Sequence, residues 1–258
     1  MTDEERYLFD LQGYLVLRGV LTQQEVDELN EVSDRVYPRD YSDGNDSKER
    51  RGIRNVRYVS RWGPACQRLI DHPRIVPILA EFLGPKFRID HDYAMFMNAG
   101  SDSGNLHGLP ELGTHRYFHY LDGQVRTGLT VVTFMLAPAR AGDGGFVCIP
   151  GSHKGNFPGN LPEDVRTLKR VPPYVVQPEV DAGDAVIFTE ALTHGTKGWR
   201  GTHERRAFLF KYNPGHMANH QVSYDTANYF DPTPQQQRIM GAPSVGSRPN
   251  VIVPDSAQ

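Results

Sequence analysis

Residues 183–194 have the sequence Gly-Asp-Ala-Val-Ile-Phe-Thr-Glu-Ala-Leu-Thr-His, and this stretch suggests the fold of the chain. A glycine turn leads into the apolar run 185–188, and a histidine follows it. Short apolar runs bounded by turn residues are typical of buried β-strands. We predict a mainly β domain, because many short strands divided by turns form sandwiches or barrels. The other strand-like runs are 87–97, 129–137, 146–149, 174–176 and 207–212.

The N-terminal third has a different pattern, which predicts helices around one short strand. Residues 14–17 are apolar and form the strand. Thr22 and Glu25 have the spacing of a capping box, in which hydroxyl and carboxylate satisfy the first free amides of a helix. A second helix is expected from Pro73 to Gly84, because proline suits a first helical turn and glycine ends one.

Bulk composition narrows the class of protein. The 258 residues carry a formal net charge of −3, which gives no basic field for nucleic acid. Two cysteines, Cys66 and Cys148, do not make a disulfide framework, so we expect a reducing, cytoplasmic location. The charged first ten residues do not resemble a signal peptide. No apolar run approaches the roughly 20 residues of a membrane span. We expect no membrane partner.

Three segments carry side chains suited to chemistry. They are 105–110, with a histidine at 107; 142–154, a glycine-rich stretch that ends in Pro-Gly-Ser-His-Lys; and 183–194. Arg205 follows His194 by eleven residues. Strand ends that face each other across a β barrel can bring two histidines together although they are far apart in sequence. A buried arginine can then hold a carboxylate in a bidentate manner, which lysine cannot do.

In this order, the segments resemble the phytanoyl-CoA dioxygenase family. His194 resembles the family's distal metal histidine, and Arg205 the arginine that grips the far carboxylate of 2-oxoglutarate. The Gly-Gly to Pro-Gly-Ser-His turn and the opening residues 13–21 also resemble that family. The resemblance spans roughly residues 8 to 215. It implies a double-stranded β-helix (a jelly-roll, cupin-like core) with flanking helices, binding Fe(II) and 2-oxoglutarate, and acting as an oxygenase on a small molecule.

The expected domain organisation follows from both arguments. We expect one domain over 1–258, with a helical N-terminal part and lid at 1–86 and the jelly-roll core at 87–215. The polar, Pro- and Gln-rich tail at 216–258 is expected to wrap the surface.

The first metal ligand departs from the family pattern, which is His-x-Asp. His107-Gly108-Leu109 stands where that pair belongs, and we prefer His107 because it follows the preceding strand closely. Some relatives carry His-Gly-Gly there, with an inserted loop, which would be residues 110–126 in this chain. His115 is the competing ligand, since its distance to the Pro-Gly-Ser-His turn also suits the family.

The carboxylate of the usual triad is missing, because Leu109 cannot bind iron. In radical halogenases of this superfamily a halide occupies that position, so chloride could bind beside Gly108 and Leu109. Alternatively, Glu190 could reach inward if its strand bulges. The remaining alternative is a degenerate site in a cupin-like binding protein without catalysis. The sequence therefore predicts hydroxylation or halogenation of an unactivated C–H bond, or loss of catalysis.

Two interpretations concern co-substrate binding. Arg205 is preferred to Arg206, because neighbouring strand residues face opposite sides and the family spacing selects 205. Thr196 could add a hydroxyl to the same co-substrate, and Phe134 is interpreted as a wall of the pocket.

The segment 48–57 is rich in cations, among them Arg50, Arg51 and Arg54. One interpretation is a basic lid over the barrel mouth that contacts an anionic substrate. The other is a solvated loop.

Overall fold

Six α-helices and eleven β-strands form the regular structure of the described residues, which in this computed structural model are 1–36, 47–50, 52–111, 113–220 and 223–252. The helices are α1 Asp3–Gln12, α2 Gln23–Val36, α3 Pro64–Gln67, α4 Val76–Leu83, α5 Glu163–Arg166 and α6 Pro234–Met240. The strands are β1 Tyr14–Leu17, β2 Ser47–Arg50, β3 Ile53–Arg57, β4 Arg88–Met97, β5 Phe118–Leu121, β6 Gln124–Thr127, β7 Thr130–Met135, β8 Gly145–Cys148, β9 Ala185–Thr189, β10 His194–Lys197 and β11 Arg205–Asn213.

Two sheets form the β core. The large sheet has the strand order β1-β9-β7-β11-β4-β3-β2, and each neighbouring pair is antiparallel. The small sheet pairs β10 with β8 and is extended by bridges from His107 to His194 and from Cys148 to Val176. Sequentially distant strands are neighbours in both sheets, as in a double-stranded β-helix. The predicted mainly β, jelly-roll fold with flanking helices is confirmed.

Alternation along the strands of the large sheet separates two apolar layers. On β11, Phe208, Phe210 and Tyr212 pack into an outer core with the helices. Ala207 and Leu209 point the opposite way, into the interior between the two sheets. Since successive side chains of a strand face opposite sides, this alternation decides which residues of each strand can reach the barrel interior.

The N-terminal third is less purely helical than the sequence predicted. It supplies β1, β2 and β3 to the large sheet as well as α1 to α4. The capping box of α2 is confirmed, since the amide of Thr22 donates to Glu25 Oε2 and the amide of Glu25 donates to Thr22 Oγ1, over 2.8 and 3.3 Å. The helix expected at Pro73 begins at Val76.

Two further regions differ from the prediction. The insertion 110–126 contains most of a hairpin, β5–β6, and residues 174–176 contribute one bridge rather than a strand. The C-terminal tail packs on the barrel through Arg248, whose guanidinium donates to five backbone carbonyls, those of Lys86, Phe87, Arg238, Gly241 and Ala242. None of the helices in the described ranges combines the length and apolar character that a bilayer crossing requires.

Candidate metal and co-substrate site

Two histidines meet at the edge of the small sheet. Nδ1 of His107 lies 3.0 Å from the carbonyl oxygen of Asn105, and Nδ1 of His194 lies 2.7 Å from that of Leu192. A carbonyl oxygen can only accept a hydrogen bond, so each Nδ1 carries a proton, and in the neutral form of the ring the lone pair is on Nε2. This tautomer is the one that offers Nε2 to a metal ion.

The carboxylate of Glu190 completes a cluster with these histidines. One ligand atom from each of His107, Glu190 and His194 lies within 4.8 Å of the others. Oε1 of Glu190 lies 3.9 Å from Nε2 of His194. Glu190 needs no bulge to point inward, because it continues the alternation of Val186 and Phe188, which both belong to the interior layer.

The electrostatics of the cluster are set by burial and by Lys211. Burial opposes ionisation of Glu190, but the charge of Lys211, its hydrogen bond from Nζ to Oε1 over 2.6 Å and the two nearby histidines together hold the pKa of the carboxyl well below its usual range. Burial lowers the pKa of His194 to about 4. At neutral pH the site therefore presents an ionised carboxylate and a neutral imidazole, the forms that bind metals.

Arg205 lies in the barrel interior and is 2% exposed. Its Nη1 lies 3.1 Å from the sulfur of Met95 and 3.7 Å from that of Met97, and its Nε has no hydrogen-bond partner among the residues that the structure describes. Burial lowers its pKa to about 10, so it stays cationic at neutral pH. Within the described part of the chain it has no carboxylate partner. A buried, uncompensated guanidinium is costly unless an anion joins it.

Gly145, which has no side chain, leaves the space that the guanidinium of Arg205 occupies. A Cβ on Gly145 would lie 2.7 Å from Nε of Arg205, so a side chain there would displace it. The neighbouring Arg206 faces away and pairs with Asp34 and Glu204 at 2.6 and 2.9 Å. The two arginines thus have the opposite orientations that strand alternation predicts.

The sequence also predicted an alternative metal ligand, His115, and a chloride position beside Gly108 and Leu109. His115 does not belong to the cluster of His107, Glu190 and His194. Its backbone carbonyl accepts a hydrogen bond from the amide of Leu129. Gly108 packs against the turn after β9, where its Cβ would lie 2.1 Å from the carbonyl oxygen of Leu192. Leu109, which is partly buried, lines a surface groove of about 390 Å³.

Thr196 lies on β10 two residues after His194, and therefore on the same face of that strand. The rings of Phe146 and Phe188 lie against the imidazole of His194, with centroid distances of 6.2 and 4.6 Å. This flank of the cluster is consequently apolar.

Two of the predicted assignments are corrected by the alternation of strands. Phe134 belongs to the outer core, where its ring contacts His72 and Phe210, so it does not line the pocket. Arg54 is buried and pairs with Glu204 at 2.6 Å, on the face of β3 opposite to the interior, so it is not part of a lid.

The rest of the predicted lid is not described. Arg51 lies outside the described residues, and Arg50 belongs to β2, of which only the backbone is described. Arg54 therefore gives no support to the prediction of an anionic substrate.

Lys211 was missed by the sequence reasoning. The sequence does indicate its orientation, because Lys211 stands six residues after Arg205 in a continuous strand and therefore faces the same side. A charged residue at an inward position of an apolar strand is itself an indication of a functional site.

Several solved structures share the fold of this chain. HygX from Streptomyces hygroscopicus, solved with nickel, 2-oxoglutarate and hygromycin B bound, has 24% identity and a TM-score of 0.72, over 84% of this chain and 89% of that chain. The carbocyclase SnoK from nogalamycin biosynthesis has 18% identity and a TM-score of 0.63, over 95% and 94%. The epimerase SnoN, in complex with Fe3+, alpha ketoglutarate and nogalamycin RO, has 17% identity and a TM-score of 0.62, over 95% and 96%.

Likeness at this level of identity shows a shared fold. No curated protein matches the chain. The sequence profile described as Phytanoyl-CoA dioxygenase (PhyH) matches residues 9–207, which is most of the chain and contains both histidines, Glu190 and Arg205. The chain therefore belongs to the phytanoyl-CoA dioxygenase (PhyH) family.

Proposed function

We propose that this chain is an Fe(II)- and 2-oxoglutarate-dependent enzyme that hydroxylates an unactivated C–H bond of a small molecule. One observation carries the proposal. Two imidazoles and one carboxylate converge at the edge of the small sheet of a PhyH-family barrel, and the barrel interior contains a buried guanidinium that has no carboxylate partner among the described residues.

The three converging groups fit the ligand set of a non-haem iron site. His107, His194 and Glu190 would hold the metal, as two imidazoles and one carboxylate do in iron oxygenases with open coordination positions. The carboxylate would come from the residue after β9 rather than from the segment of the first histidine. Glu190 as third ligand favours hydroxylation over halogenation, because no position is then left for chloride beside Gly108 and Leu109.

The buried guanidinium fits the co-substrate. Arg205 would bind the far carboxylate of 2-oxoglutarate with two parallel N–H···O bonds, which relieves the cost of its burial. Thr196, on the His194 face of β10, would donate its hydroxyl to the same molecule. HygX and SnoN, which share the fold, are both solved with this co-substrate.

The protein's part in the reaction is to hold and orient. When bound, iron and 2-oxoglutarate supply with dioxygen the oxidising power to remove a hydrogen atom from carbon. His107 and His194 would fix the position of the metal through Nε2, each held by a carbonyl at Nδ1. Phe146 and Phe188 exclude water from the His194 side. HygX is solved with hygromycin B bound and SnoN in complex with nogalamycin RO, and these small molecules support a small-molecule substrate here.

The test is an anaerobic titration of the Fe(II) protein with 2-oxoglutarate, monitored by the metal-to-ligand charge-transfer band. We expect a saturable band that is unchanged by chloride, and loss of Fe(II) affinity in Glu190→Ala. A chloride-dependent spectrum with unaltered affinity in Glu190→Ala would favour halogenation instead. A protein that binds neither iron nor 2-oxoglutarate would be the catalytically inactive, cupin-like binding module.

A further inference from the structure

Lys211 is a lysine inside the barrel. It lies on β11 on the same face as Arg205, Ala207 and Leu209, and its side chain is 13% exposed. Its Nζ is held by two contacts, the carboxylate of Glu190 and the ring of Tyr93, whose centroid lies 5.8 Å away. A lysine is rarely buried unless it is paired, so this ammonium is fixed in a defined position.

The ammonium holds one particular oxygen of Glu190. Nζ donates to Oε1 over 2.6 Å. The same Oε1 is the oxygen that lies 3.9 Å from Nε2 of His194. The oxygen that is presented to the imidazole is therefore the oxygen that Lys211 fixes.

We propose that Lys211 is a positioning residue for the metal: it fixes Oε1 of Glu190 toward the histidines, and its charge lowers the affinity of the site for a divalent cation. The inference rests on the proposed function, because it takes Glu190 as a metal ligand. It assigns to Lys211 a role that the proposed ligand set alone does not contain.

Two physical effects give the proposal its direction. A carboxylate oxygen has two lone pairs, so Oε1 can accept from the ammonium and still bind a metal. A divalent ion at Oε1 would then lie close to a fixed positive charge in a site of low effective dielectric, and the repulsion weakens its binding. Without metal, Lys211 compensates the buried charge of Glu190, so the cluster is preformed in the folded protein.

A purely structural role for Lys211 predicts the opposite change in metal affinity when the lysine is removed. If Lys211 only kept the cluster in shape, its removal would loosen the cluster and weaken metal binding. If its charge also opposes the metal, removal leaves Glu190 with the metal as its sole compensating cation, and binding becomes tighter. The sign of the change in metal affinity therefore separates the two roles.

The experiment is a Co²⁺ titration of the metal-free, full-length protein at pH 8, followed by visible absorption. In Lys211→Met and Lys211→Gln we expect the Kd for Co²⁺ to fall by about tenfold or more, because a positive charge is removed beside the metal. Gln keeps a hydrogen-bond donor for Oε1, so this variant tests the charge even where Met impairs folding. Lys154→Met is the matched control, since Lys154 pairs with Asp10 at the surface at 3.0 Å and should leave the Kd unchanged.

The outcomes separate this inference from the proposed function. Unchanged or weaker Co²⁺ binding in both folded Lys211 variants overturns the inference, while a weakened Glu190→Ala leaves the ligand set in place. If Glu190→Ala binds Co²⁺ as tightly as the unaltered protein, Glu190 is not a ligand and both proposals fail. Tighter binding in both Lys211 variants, with weaker binding in Glu190→Ala, supports both.

Discussion

His107 and His194 form a hydrogen-bonded antiparallel pair. The amide of His107 donates to the carbonyl of His194 over 2.7 Å, and the amide of His194 donates to that of His107 over 2.8 Å. Residues paired in this way project their side chains to the same face, and the two imidazole centroids are 4.3 Å apart. Backbone pairing between distant segments thus creates the two-histidine part of the site.

The first prediction tests which histidine accompanies His194. His107→Ala should weaken Fe(II) binding by more than the roughly 10–100-fold that loss of an outer-shell partner costs, because one of few protein ligands is removed. His115→Ala should bind Fe(II) nearly as the unaltered protein does. Anaerobic equilibrium dialysis measures both. Full iron binding by His107→Ala, with loss in His115→Ala, would reverse the assignment.

The choice between these histidines shows how far the sequence could go. Both lie at spacings that suit the family, and local pattern cannot separate them. The pairing of residue 107 with residue 194 decides the position in space, and that pairing is a long-range property of the folded sheet. The strand that leads to His194 and the orientation of Arg205 were predictable, because an apolar run and strict alternation are local properties.

Phe134 shows the opposite case. The strand around it was predicted, but all six residues of β7 are buried, because helices cover one face and the small sheet the other. In a strand that is buried on both faces, composition does not indicate which face points inward, and an error of one residue reverses every side chain. Glu190 illustrates the same rule, since its inward orientation follows from Val186 and Phe188 once the faces are known.

The second prediction concerns the geometry of the guanidinium. Arg205→Lys should raise the Kd for 2-oxoglutarate by about tenfold or more, since lysine keeps the charge but cannot make two parallel hydrogen bonds. Arg206→Lys is the control, because Arg206 faces the opposite side and binds Asp34 and Glu204. Titration of the charge-transfer band gives both constants. Equal effects in the two variants would remove the distinction between the arginines.

The third prediction concerns the glycine beside the first histidine. Gly108 has φ +97°, and a Cβ there would lie 2.1 Å from the carbonyl oxygen of Leu192, in the turn between Glu190 and His194. Gly108→Ala should therefore displace two proposed ligands and weaken Co²⁺ binding. It should also destabilise the fold by about 2 kcal/mol more than the backbone strain alone, as overpacking does.

Gly100→Ala is the matched control for that change. Gly100 has φ +87°, a similar strained conformation for alanine, but no atom of the described residues lies within 4 Å of its Cβ position. We expect a loss of about 1 kcal/mol in the free energy of unfolding and an unchanged Kd for Co²⁺. Denaturant unfolding and the metal titration check the pair. Equal loss of metal binding in both variants would mean that backbone strain, rather than the contact with Leu192, is responsible.

The last prediction concerns the stability of the fold at acidic pH and depends on His153. This residue is 1% exposed, its Nε2 donates to the carbonyl oxygen of Asp10 over 2.9 Å, and its Nδ1 has no hydrogen-bond partner in the described part of the chain. Burial lowers its pKa to about 4. The pKa of an unperturbed histidine is about 6.5, so between these values the unfolded chain binds more protons than the folded protein. The contribution of His153 to the free energy of unfolding is therefore fully present above about pH 6.5, and it is lost as the pH falls toward about 4.

His153→Gln removes this linkage while keeping a donor that can reach the carbonyl of Asp10. The variant should be less stable than the unaltered protein at pH 7.5, because a packed ring is lost against Phe118, whose centroid lies 4.4 Å from that of His153. The difference between the two should then narrow by about 2 kcal/mol at pH 5, since only the histidine protein must bury a group that the unfolded chain protonates. Urea unfolding at several pH values measures this difference directly, and other titrating groups cancel from it. A difference that stays constant from pH 7.5 to pH 5 would show that His153 is protonated equally in both states, and that the neutral, buried imidazole is not a source of acid sensitivity.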